Sequence, residues 1–238
     1  MSSLEHPVPD IDLVVFDWDG TLVDSTAGIV ASLQGAAADL GLPVPSRERA
    51  RHVIGLGLSD AIRHAVPEIA PAQIPRFVER YRAHFLALPD TGSPFEGIPE
   101  LLETLDRAGV PMAVATGKSR AGLDRSLAQL GWASLFVDTR CADQGIPKPD
   151  PWMLLDICAE LATEPARAVM IGDTTHDLGM AAAAGATAVA VTYGAHPQAE
   201  LRARAPAACV GSVAELRSWL VPRLSPVAPA DGRAGDRA

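Results

Sequence analysis

Two aspartates, Asp17 and Asp19, follow a largely apolar, β-branched run at residues 11–16 that has the length of a buried strand. Residues i and i+2 of a strand point to the same side, so both carboxylates can face one site where the chain leaves the sheet. Two like charges so close together repel each other, and a shared divalent cation relieves the repulsion. An acidic turn is the alternative, because Gly20 follows Asp19 and Asp-Gly is a common turn pair. The rest of the chain decides between these two interpretations.

Other polar groups also follow predicted strands. Thr116 and Gly117 come after an apolar run and offer a hydroxyl and backbone donors at the start of a helix, which suits an anion. Lys148 lies between two prolines that restrict its backbone, and Asp173 and Asp177 follow a third strand. Singly, each could be a strand-end residue, a loop lysine or a helix N-terminal acid. Together they predict one ligand site, because ligands of an open parallel sheet bind beyond the carboxyl ends of its strands.

The elements that must position these groups follow from hydrophobic periodicity. From residue 95 onward helices alternate with strands, which predicts an α/β fold with a doubly wound, Rossmann-like parallel sheet. Residues 24–92 show helical spacing without a strand pattern and predict an inserted all-α cap domain, whose first helix has Ser25 as its cap. We therefore predict a core of residues 1–23 and 93–224, a cap of residues 24–92 and a disordered tail of residues 225–238.

Composition narrows the functional class. The 238 residues are 48% hydrophobic and 21% charged, as in an ordinary globular protein, and the net charge of −9 argues against nucleic acid or an anionic membrane as a partner. Three widely spaced cysteines predict free thiols, and no leader or membrane-spanning stretch is evident, so we expect a cytoplasmic enzyme, monomeric or homodimeric. Lys118 and Lys148 are the only lysines beside 18 arginines, which draws attention to both positions.

The chain resembles the haloacid dehalogenase superfamily of phosphotransferases. The resemblance rests on Asp-Trp-Asp-Gly-Thr at residues 17–21, the strand-end Thr116, Lys148 in a Lys-Pro-Asp-Pro context, and Gly-Asp-x-x-x-Asp at residues 172–177. The helical block resembles that superfamily's small α-helical cap. The sequence Val-Ile-Gly-Leu-Gly-Leu at residues 53–58 resembles the cap loop of its phosphoglycolate phosphatase branch.

The resemblance implies a role for each motif residue. Asp17 is the expected nucleophile, which forms an aspartyl-phosphate, and Asp19 the expected general acid and base. The phosphoryl group is expected to bind the backbone N–H of Trp18 together with Thr116, Gly117 and Lys148. Mg²⁺ is the expected cofactor, with ligands from Asp17, the backbone carbonyl of Asp19, and Asp173, while Asp177 is a direct or second-shell partner. These expectations agree with the need of phosphoryl transfer for cations and donors around the transferring group.

The same residues separate the possible activities within the superfamily. Asp19 favours phosphoryl transfer over dehalogenation, and the absence of lysine from residues 24–92 argues against a Schiff-base phosphonoacetaldehyde hydrolase. The β-phosphoglucomutases carry a histidine twelve residues after the nucleophile, where this chain has Ile29. We therefore predict a phosphatase for a small phosphorylated metabolite, with phosphoglycolate as the first candidate. A phosphomutase, a pyrophosphatase and a non-catalytic phosphate-binding regulator remain the alternatives.

Overall fold

A six-stranded parallel sheet forms the centre of the computed structural model, which describes residues 10–88 and 92–225. Its strand order is β5-β4-β1-β6-β7-β8, and β1 is fully buried between β4 and β6, with Val15 level with Ala113 and Met170. The predicted α/β, Rossmann-like fold is confirmed. The strands, including a separate antiparallel pair formed by β2 and β3, are β1 Leu13–Phe16, β2 Val23–Asp24, β3 Ser93–Pro94, β4 Met112–Thr116, β5 Asp138–Cys141, β6 Ala168–Gly172, β7 Thr187–Val191 and β8 Ala208–Val210.

Helices cover both faces of the sheet. The side chains of β1 alternate, so that Val14 and Phe16 pack into one hydrophobic cluster while Leu13 and Val15 pack into the other. Helices α5, α6 and α10 cover the first face, and α7 and α8 cover the second. The helices are α1 Thr26–Asp39, α2 Arg47–His52, α3 Leu58–Ala65, α4 Ile74–Leu86, α5 Ile98–Arg107, α6 Arg120–Leu130, α7 Trp152–Glu160, α8 Thr175–Ala184, α9 Gln198–Ala203 and α10 Val213–Leu220.

Helices α1–α4, which we call the cap, lie between β2 and β3 in the chain. They share a hydrophobic cluster that includes Leu33, Ile62 and Phe77 and is distinct from the two clusters of the sheet. The short β2–β3 pair joins the two ends of this segment, with Val23 opposite Pro94. The assignment of the cap as a separate domain, with boundaries at residues 24 and 92, stays a prediction.

Some local predictions need correction. Ser25 precedes α1 as predicted, but its side chain makes no capping bond and instead donates to a carboxylate of the predicted site. Strand β5 and helix α9 were not predicted, because β5 is a polar edge strand and α9 buries only Leu201. Most of the predicted tail lies outside the described residues, but Ser225 is placed and its backbone N–H donates to Ile11 O. Among the described residues, no helix combines the length and apolar character needed to cross a membrane.

Candidate active site

Three buried carboxylates and one buried lysine meet at the carboxyl edge of the sheet. Asp17, Asp173 and Asp177 each offer an oxygen, and these oxygens lie within 4.8 Å of one another. Lys148 Nζ lies 2.8 Å from Asp17 Oδ1 and 2.6 Å from Asp177 Oδ1. All four side chains are almost completely buried. The structure thus brings together the first, third and fourth predicted motifs, although the first lies more than a hundred residues before the other two.

Local backbone chemistry holds two of these carboxylates. Asp177 closes a capping box at the start of α8, because its Oδ2 accepts from the backbone N–H and the hydroxyl of Thr174. Asp173 Oδ1 accepts from the Thr21 hydroxyl at 3.0 Å, and Asp173 Oδ2 accepts from the Ala195 backbone N–H at 2.6 Å. Gly20 has φ +83°, and a Cβ there would collide with Asp173. Glycine therefore permits both the turn after the first motif and the approach of Asp173.

Asp17 is placed differently from the other two acids. Its Oδ1 forms the ion pair with Lys148, yet neither of its oxygens accepts a hydrogen bond of ordinary geometry from a described residue. Burial raises the pKa of Asp17 to about 7, against the opposing charge of Lys148 and together with the repulsion from Asp177. Burial and the charges of Asp17 and Asp177 also raise the pKa of Asp173. For Lys148, burial favours the neutral amine, but the two carboxylates outweigh it and raise the pKa.

The donor set fits Mg²⁺. A hard divalent cation prefers carboxylate oxygens, and Asp17 has buried oxygens whose hydrogen-bonding capacity is unused among the described residues. Asp17 and Asp173 are converging acids whose pKa values are raised by burial and mutual repulsion, and a bound cation would lower both. Asp177 is already engaged by Lys148 and Thr174, which suits a supporting role better than that of a principal ligand.

Asp19 lies beside this cluster and faces the cap. Its Oδ1 accepts from the Ser25 hydroxyl at 2.6 Å and lies 2.8 Å from Lys118 Nζ, and the Asp19 and Lys118 side chains are each 11% exposed. The Lys118 ammonium also lies 5.2 Å from the ring centroid of Phe85, on α4 of the cap. Lys118 and Ser25 were not predicted as site residues. The scarcity of lysine in the sequence was the one signal that pointed to Lys118.

The predicted phosphate-binding residues lie around Asp17 in different ways. Thr116 is buried at the end of β4, and its hydroxyl accepts from the backbone N–H of Lys118 at 3.2 Å. A Cβ at Gly117 would lie 2.6 Å from the backbone oxygen of Leu56, so a glycine lets the cap loop rest on the core. The Trp18 ring packs edge-on against two aromatic rings of the core rather than facing the cap. A contribution of Trp18 to phosphate binding is therefore limited to its backbone.

A cavity of about 610 Å³ extends from Asp17 and Asp19 into the space between cap and core. Its wall combines apolar and aromatic cap side chains with polar side chains from α6. The cap contributes Ile29, Leu33, Tyr81 and Phe85 to this wall. The arrangement leaves open space next to Asp19, with the carboxylate cluster at the sheet edge.

Hydrogen bonds away from the cavity fasten the cap to the core. Arg51 Nη2 donates to Gly194 O at 2.7 Å, so this arginine binds the core backbone and does not line the cavity. Arg63, also of the cap, lines the cavity and pairs with Asp60 at 2.9 Å. The two arginines therefore differ: one holds the cap to the core, and the other lies beside the space for a leaving group.

Three histidines form a second contact between cap and core. His52 of the cap stacks on His196, with ring centroids 4.6 Å apart, and its backbone oxygen accepts from His196 Nε2 at 3.0 Å. His196 Nδ1 accepts from the Thr175 backbone N–H, which fixes the tautomer. Burial and the neighbouring His176 lower the pKa of His196 to about 4, so it is neutral at pH 7. Periodicity gave no signal for His196, since it lies in a loop.

Comparisons with known proteins agree with this geometry. The model of a family described as haloacid dehalogenase-like hydrolase matches residues 14–191, which contain all the predicted motifs. The chain is 39% identical over 210 residues to a probable phosphatase, IndB, of Dickeya dadantii, covering 86% of this chain and 91% of the relative. It is 34% identical to an N-acetylmuramic acid 6-phosphate phosphatase of Pseudomonas aeruginosa, covering 78% and 84%. It is 32% identical to a phosphoglycolate phosphatase of Agrobacterium fabrum, covering 76% and 81%.

The fold is shared with solved structures. A protein described as a predicted phosphoglycolate phosphatase from Haemophilus somnus superposes with a TM-score of 0.80 at 24% identity, covering 88% of this chain and 97% of that one. The phosphatase relatives and the family match indicate hydrolysis of phosphate monoesters, and the carboxylate cluster is compatible with that activity. The chain belongs to the haloacid dehalogenase-like hydrolase family and is a phosphoric monoester hydrolase.

Proposed function

We propose that this protein is a Mg²⁺-dependent phosphatase that hydrolyses small phosphate monoesters through an aspartyl-phosphate at Asp17. The observation that carries the proposal is the position of Asp17. This buried carboxylate lines the cavity, pairs with Lys148 and has oxygens free of other donors among the residues that the structure describes. Such a carboxylate can attack phosphorus, whereas a carboxylate bound by several donors would be a poorer nucleophile.

In the first step, an Asp17 oxygen attacks the phosphorus atom of the ester. A bond forms between that oxygen and phosphorus, and the bond between phosphorus and the ester oxygen breaks. The proton that the departing alkoxide needs comes from the Asp19 carboxyl, which faces the cavity beside the leaving group. Lys148 lies 2.8 Å from Asp17 and offsets the repulsion between its carboxylate and the phosphate.

In the second step, a water molecule attacks the same phosphorus atom. Asp19, now ionised, takes a proton from that water, and the bond between phosphorus and the Asp17 oxygen breaks. This step releases phosphate and restores the Asp17 carboxylate and the Asp19 carboxylic acid. The hydrogen bond from Ser25 and the ion pair with Lys118 orient the ionised Asp19 as the base in this step. The Thr116 hydroxyl, at the end of β4, is placed to donate to a phosphoryl oxygen.

Asp17, Asp173 and the backbone carbonyl of Asp19 would hold Mg²⁺, with Asp177 as their support. Bound there, the cation supplies positive charge that neutralises the phosphoryl oxygens as the transition state develops. The burial of this cluster strengthens each electrostatic interaction within it. Transfer to a second sugar hydroxyl, as in a mutase, has less support. Ile29 lines the cavity at the position where the β-phosphoglucomutases have a histidine.

The proposal is tested with p-nitrophenyl phosphate and Mg²⁺. We expect phosphate release from the wild-type protein, its loss on chelation of the metal, and its loss in Asp17→Asn. The matched control is Asp24→Asn, which removes an exposed aspartate that lies outside the cavity. Background release that is equal in the wild type and Asp17→Asn would refute the proposal. It would favour a non-catalytic phosphate-binding protein instead.

A further inference from the structure

The cavity is large for a two-carbon substrate. Phosphoglycolate has nine non-hydrogen atoms, and even at about 30 Å³ each, the share of liquid volume of one water molecule, it would occupy less than half of the 610 Å³. Enzymes enclose most of a ligand's surface in their pockets, so a well-matched substrate fills more of this space. The volume therefore favours a leaving group larger than glycolate.

The wall near Asp19 offers a surface for a carbon skeleton. Tyr81 and Phe85 are stacked on α4 with centroids 6.0 Å apart and an angle of 17° between their planes, and both line the cavity. Burial and the nearby charge of Asp19 raise the pKa of the Tyr81 phenol, which keeps it a neutral donor. An aromatic surface with a polar edge suits the C–H face and hydroxyls of a sugar or polyol.

Two cations that line the cavity have side chains without a partner among the described residues. Arg82 of the cap and Arg125 of α6 both line the cavity and are exposed. Neither guanidinium forms an ion pair or a hydrogen bond with another described residue. Arg63, by contrast, is already paired with Asp60. A free guanidinium is well suited to bind a carboxylate through two parallel hydrogen bonds. Arg82 from the cap and Arg125 from the core thus place two positive charges at the same cavity, in a chain whose net charge is −9.

From these three observations, and resting on the proposed phosphatase function, we infer the class of substrate. It is a phosphate monoester of a sugar acid of six or more carbons, with a carboxylate remote from the ester. The carbon skeleton packs on Tyr81 and Phe85, and the carboxylate binds Arg82 and Arg125. Phosphoglycolate, which the cap-loop resemblance favoured, would leave much of the space to water.

The inference is tested by comparing kcat/KM for three esters. The esters are 6-phosphogluconate, with six carbons and a carboxylate; sorbitol 6-phosphate, with six carbons and none; and phosphoglycolate, with two carbons and a carboxylate. We expect 6-phosphogluconate to exceed sorbitol 6-phosphate by about tenfold, roughly the value of one hydrogen bond to a charged group. It should also exceed phosphoglycolate, because its longer carbon skeleton packs on Tyr81 and Phe85. The ratio of 6-phosphogluconate to sorbitol 6-phosphate should fall towards one in the Arg82→Gln, Arg125→Gln double variant.

The controls separate this inference from the proposed function. Arg76→Gln, on the same helix as Arg82 but outside the cavity, should leave the ratio unchanged. Ser126→Trp, which places a large ring at the cavity wall, should lower kcat/KM for the six-carbon esters more than for phosphoglycolate. Preference for phosphoglycolate, or a carboxylate preference that survives in the double variant, would overturn the inference. Failure to hydrolyse any ester, p-nitrophenyl phosphate included, would instead refute the proposed function.

Discussion

Replacement of Lys148 by methionine tests the electrostatic balance of the site most sharply. The ammonium lies 2.8 Å from Asp17 and 2.6 Å from Asp177, and all three groups are buried. Methionine keeps most of the side-chain volume but leaves two carboxylates without their cation. Removing one partner of a buried ion pair costs about 3–5 kcal/mol, which for a chain of this size lowers Tm by about 6–20 °C. Phosphatase activity should be lost as well.

Added Mg²⁺ should have the opposite effect on this variant. The loss of a positive charge beside Asp17 and Asp177 removes a repulsion that the incoming cation meets in the wild type. We therefore expect Mg²⁺ to raise the Tm of Lys148→Met by more than it raises the Tm of the wild type. Thermal unfolding at pH 8 with a titration of Mg²⁺ measures both effects.

The matched control removes the other lysine. Lys118→Met deletes an ion pair at the edge of the cavity, so its loss of stability should be smaller. The reasoning would be refuted if Lys148→Met unfolded at the wild-type temperature. It would also be refuted if Mg²⁺ stabilised Lys148→Met less than it stabilises the wild type.

The remaining predictions concern proton transfer by Asp19 and the ion pair between Asp12 and Arg167 next to β1. Lys118→Met should lower kcat by about 10–100-fold, the value of a hydrogen bond to a charged group, with a smaller change in KM. An effect on KM alone would show that Lys118 binds substrate instead. Asp19→Asn should slow both formation and hydrolysis of the aspartyl-phosphate, yet leave the Mg²⁺-dependent rise in Tm unchanged. Near-normal turnover of this variant in steady-state assays would contradict the proposed role of Asp19. Hydrogen bonds from Arg167 lower the pKa of Asp12 below 3.8, so this pair should stabilise the fold at pH 7 and cease to do so as the pH falls through that lowered value. Because both side chains are about a third exposed, Asp12→Asn should cost no more than about 1 kcal/mol in urea unfolding at pH 7. The difference from the wild type should shrink as the pH falls below 3.8 towards the lowered pKa, and a constant difference across this range would contradict the assignment.

The sequence allowed the sheet edge and the motif residues to be predicted for a physical reason. A buried parallel strand needs a continuous apolar run, and a polar residue at its end is visible as the point where that run stops. Asp17, Thr116 and Asp173 each occupy such a position, and parallel strands bring their ends to one edge. The meeting of Asp17 with Asp173 follows from topology and needed no knowledge of the loops, whereas the position of Lys148 depends on the loop between β5 and α7.

Contacts made by side chains across the cap could not be predicted in this way. Ser25 has the residue type and position of a helix cap, and only the fold shows that its hydroxyl bonds to Asp19. Phe85 fits the apolar stripe of α4, yet it lines the cavity and contacts Lys118. Strand β5 has an arginine that pairs with Asp138 and Asp156, so its sequence lacks the apolar run that marks the inner strands. Hydrophobic periodicity in the sequence indicates which side chains are buried. It does not indicate the contacts of these residues, because their partners are distant in the chain.

The central claim is that Asp17 carries the phosphoryl group during turnover. Rapid acid quenching of Asp19→Asn during reaction with a ³²P-labelled ester, followed by peptide mapping, tests it directly. The account predicts one labelled peptide that contains Asp17, with label that appears before free phosphate and then declines. Label on another residue, or free phosphate that forms at full rate with no labelled protein at any time, would contradict it.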